Sequence, residues 1–166
     1  MARTYDFAEA ANLVLDQEGA YSSDRNDPGN YTPWGEFKGT KYGISAREYP
    51  HLDIVNLTLE QALAIYREDY WDSLRLDEVP WPLNLCIFDG AVNQGAVTVT
   101  RLLQEALGIE VDGIFGDQTV AASQSAAQYH ASLFLALRAM RYVGTNNFDR
   151  YGKGWFSRMF QVVLEA

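Results

Sequence analysis

One long run of turn-forming residues constrains the fold of this chain more than any other feature. Between Tyr21 and Tyr42 the sequence is rich in Asp, Asn, Gly, Pro, Ser and Thr, which favours loops and a small hairpin over a helix. Irregular segments of this length inside compact domains usually carry function. Helical patterns precede and follow the run. We therefore predict a mainly α fold of the α+β class, with a small irregular or β-hairpin lobe near residues 19–45.

Helix-start and helix-stop residues divide the rest of the chain into helices. These boundary residues are capping pairs, prolines and glycines: Asp6 with Glu9, Thr58 with Gln61, Pro80 with Pro82, Gly95, Gly108, and Gly116 with Asp117. The helix after Pro82 is strongly apolar, so we expect it to form the centre of a helical bundle. Apolar spacing also predicts a final helix from Trp155 to Leu164 and a long helix at about 128–143, whose apolar residues include Leu133, Phe134, Leu137 and Met140.

Length and charge limit the architecture and the partners. The chain has 166 residues, of which 48% are hydrophobic, so we expect one packed domain. Its net charge of −9 argues against nucleic acid as a partner, because phosphate contacts need clustered Lys and Arg. Basic residues near the C-terminus could still form a local patch; they are Arg138, Arg141, Arg150, Lys153 and Arg158.

The cysteine and histidine content argues against a metal centre. Cys86 is the only cysteine, and His51 and His130 are the only histidines. A disulfide framework and a Cys-based zinc site are therefore excluded, and we expect neither a metal nor an organic cofactor. Cys86 lies in an apolar run, so we predict that it is a small buried hydrophobic residue.

The N-terminus lacks the features of a secretory signal. It has no basic region followed by an apolar one, and no apolar run approaches the roughly 18 residues that a membrane span needs. We expect a protein that is made in the cytoplasm and has no stable membrane association.

Two carboxylic acids in contrasting settings suggest cleavage of a glycosidic bond. Glu18 is predicted to end an amphipathic helix, where the helix dipole and partial burial favour its protonated form. A protonated acid can donate its proton to a leaving-group oxygen. Asp27 lies in the polar turn Asn26–Gly29 and is expected to stay ionised. Such a pair is the minimum equipment for glycoside hydrolysis.

Five segments, in order along nearly the whole chain, resemble the glycoside hydrolase family 108 muramidases. These are lysozyme-like enzymes that cleave peptidoglycan and are common as bacteriophage endolysins. The segments are Glu18–Gly29 with Thr40–Ser45, Tyr66–Trp71, Phe88–Gly95, Leu103–Gln104 with Val111–Thr119, and Phe148–Arg158. The fourth resembles a peptidoglycan-binding-type motif, although it could equally be a helix–turn–helix corner with glycines in tight backbone positions. The resemblance implies one lysozyme-like domain over 1–166, with the catalytic signature in about 1–95 and an integrated helical half in about 96–166.

The resemblance also implies the catalytic residues. Glu18 would be the general acid, and Asp27 and Thr40 would fill the aspartate and threonine positions of the phage lysozyme pattern. The link between the last two contains an apparent insertion, Asn30–Gly39. Thr32 is therefore a rival for the threonine position.

Other side chains near this signature are candidates for substrate contact. Asp24 is an alternative partner for Glu18. The predicted substrate-binding residues are Tyr21, Trp34, Tyr42 and Asn93. Core packing remains open for the two tyrosines, and Asn93 could instead brace its helix together with Asp89, four positions earlier. Trp34 lies on the insertion, where a loop aromatic could stack on a sugar or form part of a flap.

These expectations describe a monomeric endolysin. It would hydrolyse the β-1,4 bond between N-acetylmuramic acid and N-acetylglucosamine in peptidoglycan glycan strands, acting on the wall after the membrane is permeabilised. Three other activities stay open: a non-catalytic peptidoglycan-binding or secretion-associated module, a lytic transglycosylase, and a chitinase-like enzyme.

Overall fold

A computed structural model of the protein describes residues 6–15 and 21–165. The contacts divide the chain into two compact units. The described part of Ala11–Arg67 forms one of them, called here the loop-rich unit, and the described residues before and after it form the helical unit. Whether the chain is one integrated domain stays a prediction.

The described residues form seven α-helices and one two-stranded antiparallel sheet. The helices are α1 (Phe7–Leu15), α2 (Leu59–Tyr66), α3 (Leu83–Gln94), α4 (Ala96–Leu107), α5 (Asp117–Gln124), α6 (Gln128–Val143) and α7 (Phe148–Glu165). The strands are β1 (Thr40–Lys41) and β2 (Ile44–Ser45), and a π-helical stretch, Arg67–Asp72, follows α2. This confirms the predicted mainly α architecture of the α+β class.

The predicted capping residues begin two of these helices. The Asp6 carboxylate accepts the backbone N–H groups of Ala8 at 3.0 Å and Glu9 at 3.2 Å. At the start of α2, Thr58 and Gln61 form both bonds of a capping box. Each bond satisfies a backbone donor that the first helical turn leaves without a partner.

Helix α3 is the centre of the helical unit. All of its residues from Leu83 to Ala91 are buried, and it packs against α4, α6 and α7. Cys86 is 2% exposed, as predicted for a small hydrophobic residue. Burial raises the pKa of its thiol to about 11, with a smaller opposing effect from the charge of Arg138.

A buried carboxylate holds two helices against α3. Asp89 accepts hydrogen bonds from Arg138 of α6 at 2.7 Å and Arg158 of α7 at 2.8 Å. Arg138 also donates to the carbonyl of Cys86 and the side chain of Gln94. Burial alone would raise the pKa of Asp89, but the two guanidinium groups hold it below its ordinary value. Arg138 and Arg158 therefore do not contribute to the C-terminal basic patch that the sequence left open, because they serve as internal counter-ions.

The core face of α6 includes only part of the predicted apolar set. Its buried residues are Phe134, Arg138 and Tyr142, spaced four apart as a helical face requires. Leu133 and Leu137 are half-buried, whereas Met140 is 66% exposed. A charged residue thus takes a core position, because Arg138 pairs with the buried Asp89.

The last helix begins earlier than predicted, at Phe148 rather than Trp155. Gly152 and Gly154 weaken the helical pattern in that segment. Ring packing compensates, because Phe148 lies 5.5 Å from Phe156 in an edge-to-face arrangement. The Phe148 ring also covers Gly152, where an added Cβ would come within 2.5 Å of it.

The loop-rich unit has a small apolar core beneath its hairpin. Three residues that form it are essentially buried: Ile44 of β2, Tyr66 of α2, and Ile54, which precedes α2.

None of the helices in the described ranges combines the length and the apolar character needed to cross a membrane.

Candidate functional site

Thr40 is the central residue of a short three-segment ribbon. Its backbone exchanges hydrogen bonds with Ser22, at 2.8 and 3.2 Å, and it pairs with Ser45 across the β1–β2 hairpin. The Thr40 side chain is half-buried, and no described residue forms a hydrogen bond with its hydroxyl. The hydroxyl is thus held on a paired backbone and remains available to a ligand.

The hairpin turn places Tyr42 in a costly conformation. Tyr42 and Gly43 have φ values of 52° and 74°, as the twist of a two-residue hairpin demands. A bulky side chain in this left-handed region is unfavourable by about 1–2 kcal/mol. The buried Tyr66 hydroxyl donates to the Tyr42 carbonyl at 2.8 Å and holds the turn in place. The hairpin geometry accounts for this conformation, and the substrate contact of Tyr42 stays a prediction.

Tyr21 packs over Gly39, one residue before Thr40. The Tyr21 hydroxyl donates to the carbonyl of Lys38 at 3.3 Å. Gly39 has a φ of +80°, and an added Cβ would come within 2.5 Å of the Tyr21 ring. Tyr21 is 39% exposed, so its ring both supports the strand and presents an edge to solvent.

The two candidate aspartates lie in adjacent exposed turns. One oxygen of Asp27 accepts the backbone N–H of Gly29 at 2.8 Å and caps a short 3₁₀ helix. One oxygen of Asp24 accepts two donors from Asn26, at 2.9 and 3.1 Å. No described residue bonds the second oxygen of either carboxylate. Both can therefore bind water or a ligand.

A residue that the sequence did not single out joins these turns to the hairpin. Asn30 is completely buried and donates its side-chain amide to the carbonyl of Asp24 at 2.8 Å. Its own carbonyl accepts the backbone N–H groups of Lys38 and Gly39, both at 3.0 Å. Asn30 thus fixes the acidic turns relative to the strand that carries Thr40. Only its position after Pro-Gly in a turn hinted at this role.

The rival threonine has a different environment. Thr32 is 2% exposed, and its hydroxyl accepts the backbone N–H of Glu36 at 3.0 Å. It closes the turn of the insertion. Of the two candidates, the geometry leaves only the hydroxyl of Thr40 ready for a ligand.

Asn93 and the predicted wall-binding motif make mainly internal bonds. The Asn93 amide donates to the backbone carbonyl of Asp89 at 2.7 Å and to its carboxylate at 3.1 Å, the bracing role left open by the sequence. The buried Gln104 side chain of α4 bonds to the segment Val111–Thr119. Its amide nitrogen lies within hydrogen-bonding distance of Asp112, Ile114 and Thr119, and its oxygen accepts from the backbone N–H of Gly113. These contacts form a helix–turn–helix corner, while wall binding by the segment stays a prediction.

Glu18 lies outside the described residues, so its predicted role as general acid stays a prediction. In sequence it precedes Ser22, the ribbon partner of Thr40, by four positions. Within the described ranges, no group of three or more His, Cys, Asp or Glu side chains is arranged to hold a metal ion.

Comparison with known proteins places this geometry in a family context. Residues 11–95 match the family described as Glycosyl hydrolase 108. The solved structure of Brucella abortus SagA is similar to this chain, with a TM-score of 0.80 and 29% sequence identity over 94% of this chain and 90% of that chain. No curated protein sequence gives a significant match. The family match includes positions 18, 27 and 40 and the turns between them.

Proposed function

This chain belongs to the glycosyl hydrolase 108 family, and from that premise we propose that it is a muramidase. Membership makes it a glycoside hydrolase and suggests peptidoglycan as the polymer. The finer proposal is hydrolysis of the β-1,4 bond between N-acetylmuramic acid and N-acetylglucosamine. One observation supports it most: Asn30 and the Ser22–Thr40 pairing join the acidic turns and an available threonine hydroxyl within one small unit.

The proposed reaction begins with proton transfer. The Glu18 carboxylic acid gives its proton to the glycosidic oxygen, and the bond to the anomeric carbon breaks as positive charge develops on the sugar ring. The open oxygen of Asp27 either stabilises that charge or accepts a proton from the attacking water. The Thr40 hydroxyl can orient this water. Addition of water to the anomeric carbon produces a new reducing end, and Glu18 regains a proton.

We propose peptidoglycan glycan strands as the substrate of a monomeric enzyme that needs no metal or organic cofactor. In its biological setting it would be an endolysin that reaches the wall after the membrane is permeabilised. Mass spectrometry of products from purified sacculi tests the chemistry. Hydrolysis gives reducing muramic acid ends, whereas anhydromuramyl ends would identify a lytic transglycosylase.

Glu18→Gln tests the central residue. We expect the release of reducing ends from sacculi to fall by about a hundredfold to ten-thousandfold, because an amide cannot donate the proton. Sacculus binding and the melting temperature should not change.

Glu9→Gln is the matched control, since Glu9 is an exposed glutamate of α1. It should retain the full rate. A Glu18→Gln variant that works at the wild-type rate would contradict the mechanism, and a wild-type protein that binds sacculi without cleaving them would identify a wall-binding module.

A further inference from the structure

The insertion presents an aromatic ring to solvent. Trp34 is 59% exposed, and its indole lies 5.5 Å from the His51 ring with an interplanar angle of 38°. Its ring N–H points toward the Glu36 carboxylate at 3.4 Å. A large aromatic ring held at the surface beside polar groups can stack on the apolar face of a sugar.

Local contacts hold the backbone of the insertion in one conformation. Thr32 forms three hydrogen bonds within the turn, two with Glu36 and one with Gly35. At the base of the insertion, Tyr31 packs edge-to-face on Phe37 at 5.1 Å. Because the backbone is fixed by these contacts, stacking on Trp34 would require little additional ordering of the chain.

A hollow of about 330 Å³ is lined in part by Glu36 and His51, the two residues whose side chains contact Trp34. Glu36, Lys38, His51 and Asp53 contribute donors and acceptors to its wall. The Lys38 ammonium is held by the carbonyl of Pro50 at 2.8 Å and by Glu36 at 3.6 Å. Hydrogen-bond donors and acceptors in fixed positions suit the hydroxyl and acetamido substituents of a saccharide.

A second hollow of about 450 Å³ shares Leu52 and Asp53 with the first. Asn56 and Gln61 line it. Hydrogen bonds from Asn56 lower the pKa of Asp53, so this carboxylate is an acceptor at neutral pH. Together the two hollows offer space for more than one sugar ring.

The residue Val55 links the first hollow to the predicted catalytic hairpin. Val55 lines it, and the carbonyl of Val55 accepts a hydrogen bond from the Lys41 ammonium at 3.0 Å. Lys41 follows Thr40 directly, and its ammonium lies 5.5 Å from the centre of the Tyr42 ring. A continuous set of contacts therefore runs from the hairpin through the hollow to Trp34.

We propose that Trp34, the hollow lined by its neighbours Glu36 and His51, and the second hollow that shares Leu52 and Asp53 with it form an accessory subsite for further saccharides of the N-acetylated glycan strand. This inference rests on the proposed muramidase function. Trp34 provides the stacking surface, and Glu36, Lys38, His51 and Asp53 hydrogen-bond the ring substituents. The subsite binds substrate away from the reacting bond.

Trp34→Ala in the Glu18→Gln background tests the subsite by calorimetric titration with soluble glycan strands released from peptidoglycan by an amidase. We expect the affinity to fall about tenfold, as the loss of one good stacking contact would predict. Trp34→Phe should retain most of the affinity. With Glu18 present, Trp34→Ala should raise KM with kcat unchanged, because the contact is the same in ground and transition states.

Tyr129→Ala is the matched control. Tyr129 is also an exposed aromatic residue beside a histidine, 68% exposed and 5.7 Å from the His130 ring, but it lies in the helical unit. It should leave strand affinity unchanged.

Equal affinity in Trp34→Ala and its parent, or no strand binding by the parent, would overturn the subsite. The muramidase proposal is judged separately, by release of reducing ends from sacculi by the wild-type protein.

Discussion

Two aspartates, one in each unit, show how differently the protein uses the same side chain. Asp89 in the helical unit is 1% exposed and has both oxygens bonded to arginines. Asp27 in the loop-rich unit is exposed, and among the described residues only the backbone N–H of Gly29, two positions away, bonds to one of its oxygens. Asp89 is committed to holding helices together. Asp27 is positioned by local backbone and keeps an oxygen for other partners.

Buried amides extend the comparison. Gln104 in the helical unit uses both its oxygen and its nitrogen within one corner. Asn30 in the loop-rich unit is also buried, yet no residue in the described part of the chain forms a hydrogen bond with its side-chain oxygen. Asp89 and Gln104 in the helical unit thus use both ends of their polar groups in internal bonds, whereas Asp27 and Asn30 in the loop-rich unit each have a side-chain oxygen that no described residue bonds. Substitutions should therefore affect mainly stability in one unit and mainly activity in the other.

Asp89→Asn should produce the largest change in stability. It leaves two guanidinium groups without their carboxylate, which typically lowers the free energy of unfolding by about 3–5 kcal/mol for a buried pair. Denaturant unfolding measures the effect. Asp117→Asn is the control, because Asp117 pairs with Arg75 at 2.6 Å but its side chain is 95% exposed, so stability should hardly change. Equal effects of the two substitutions would break the comparison.

The same aspartate predicts a dependence on pH. The pKa of Asp89 is lower in the folded protein than in the unfolded chain. Its contribution to stability is therefore fully present above the unfolded value of about 3.9 and is lost as the pH falls through the lower folded value. The stability difference between wild type and Asp89→Asn should shrink on acidification below about pH 4. A difference that is constant from pH 7 to pH 2 would contradict this.

Gln104→Leu should have an intermediate effect. The substitution removes the acceptor of the Gly113 N–H and the amide that bonds to Asp112, Ile114 and Thr119. We expect the free energy of unfolding to fall by about 1–3 kcal/mol. The backbone N–H of Ile114 and the Gln104 amide both lower the pKa of Asp112 in the wild-type protein. Because Gln104→Leu lacks the amide, NMR titration of this variant should show a higher pKa for Asp112. Gln124→Leu removes one long bond of an exposed glutamine, 3.2 Å from the carbonyl of Glu78, and is the control. Both variants should still cleave sacculi. A loss of cleavage in Gln104→Leu alone would show that the helix–turn–helix corner contributes to activity and not only to stability.

Tyr42→Asn should have the smallest effect on stability, and of opposite sign. Asparagine tolerates the left-handed conformation, so we expect the free energy of unfolding to rise by up to about 1 kcal/mol. Glycan-strand affinity should fall because the ring is lost. Tyr42→Phe keeps the ring and should keep the affinity. Reduced stability with unchanged affinity in Tyr42→Asn would show that the tyrosine only packs.

The sequence predicted a helix boundary correctly where the capping residues lie within a few positions of each other. Thr58 and Gln61 lie three positions apart, and their capping box forms as expected. The helix predicted at 128–143 has those bounds. The start of α7 was missed, because contacts between Phe148, Gly152 and Phe156 offset the low helix propensity of glycine.

The candidate site was predictable in its chemistry but not in its arrangement. The resemblance picked out Asp27, Thr40 and Thr32, but spacing alone could not choose between the two threonines. The choice depends on the Ser22–Thr40 pairing and on the turn that Thr32 closes. Asn30 went unnoticed because its importance lies in contacts with Asp24 and Lys38 that no local pattern encodes.

The amino-acid sequence by itself determined the helix boundaries that are set by local caps, such as the start of α2, the turn-rich character of the segment before α2 and the family, because these depend on neighbouring residues and on motif order. Only the tertiary structure decided which carboxylates are buried, as in the Asp89–Arg138 pair, whose members are 49 positions apart. Burial and pairing depend on groups brought together from distant parts of the chain. These groups decide whether a charge stabilises the fold or stays available to a ligand.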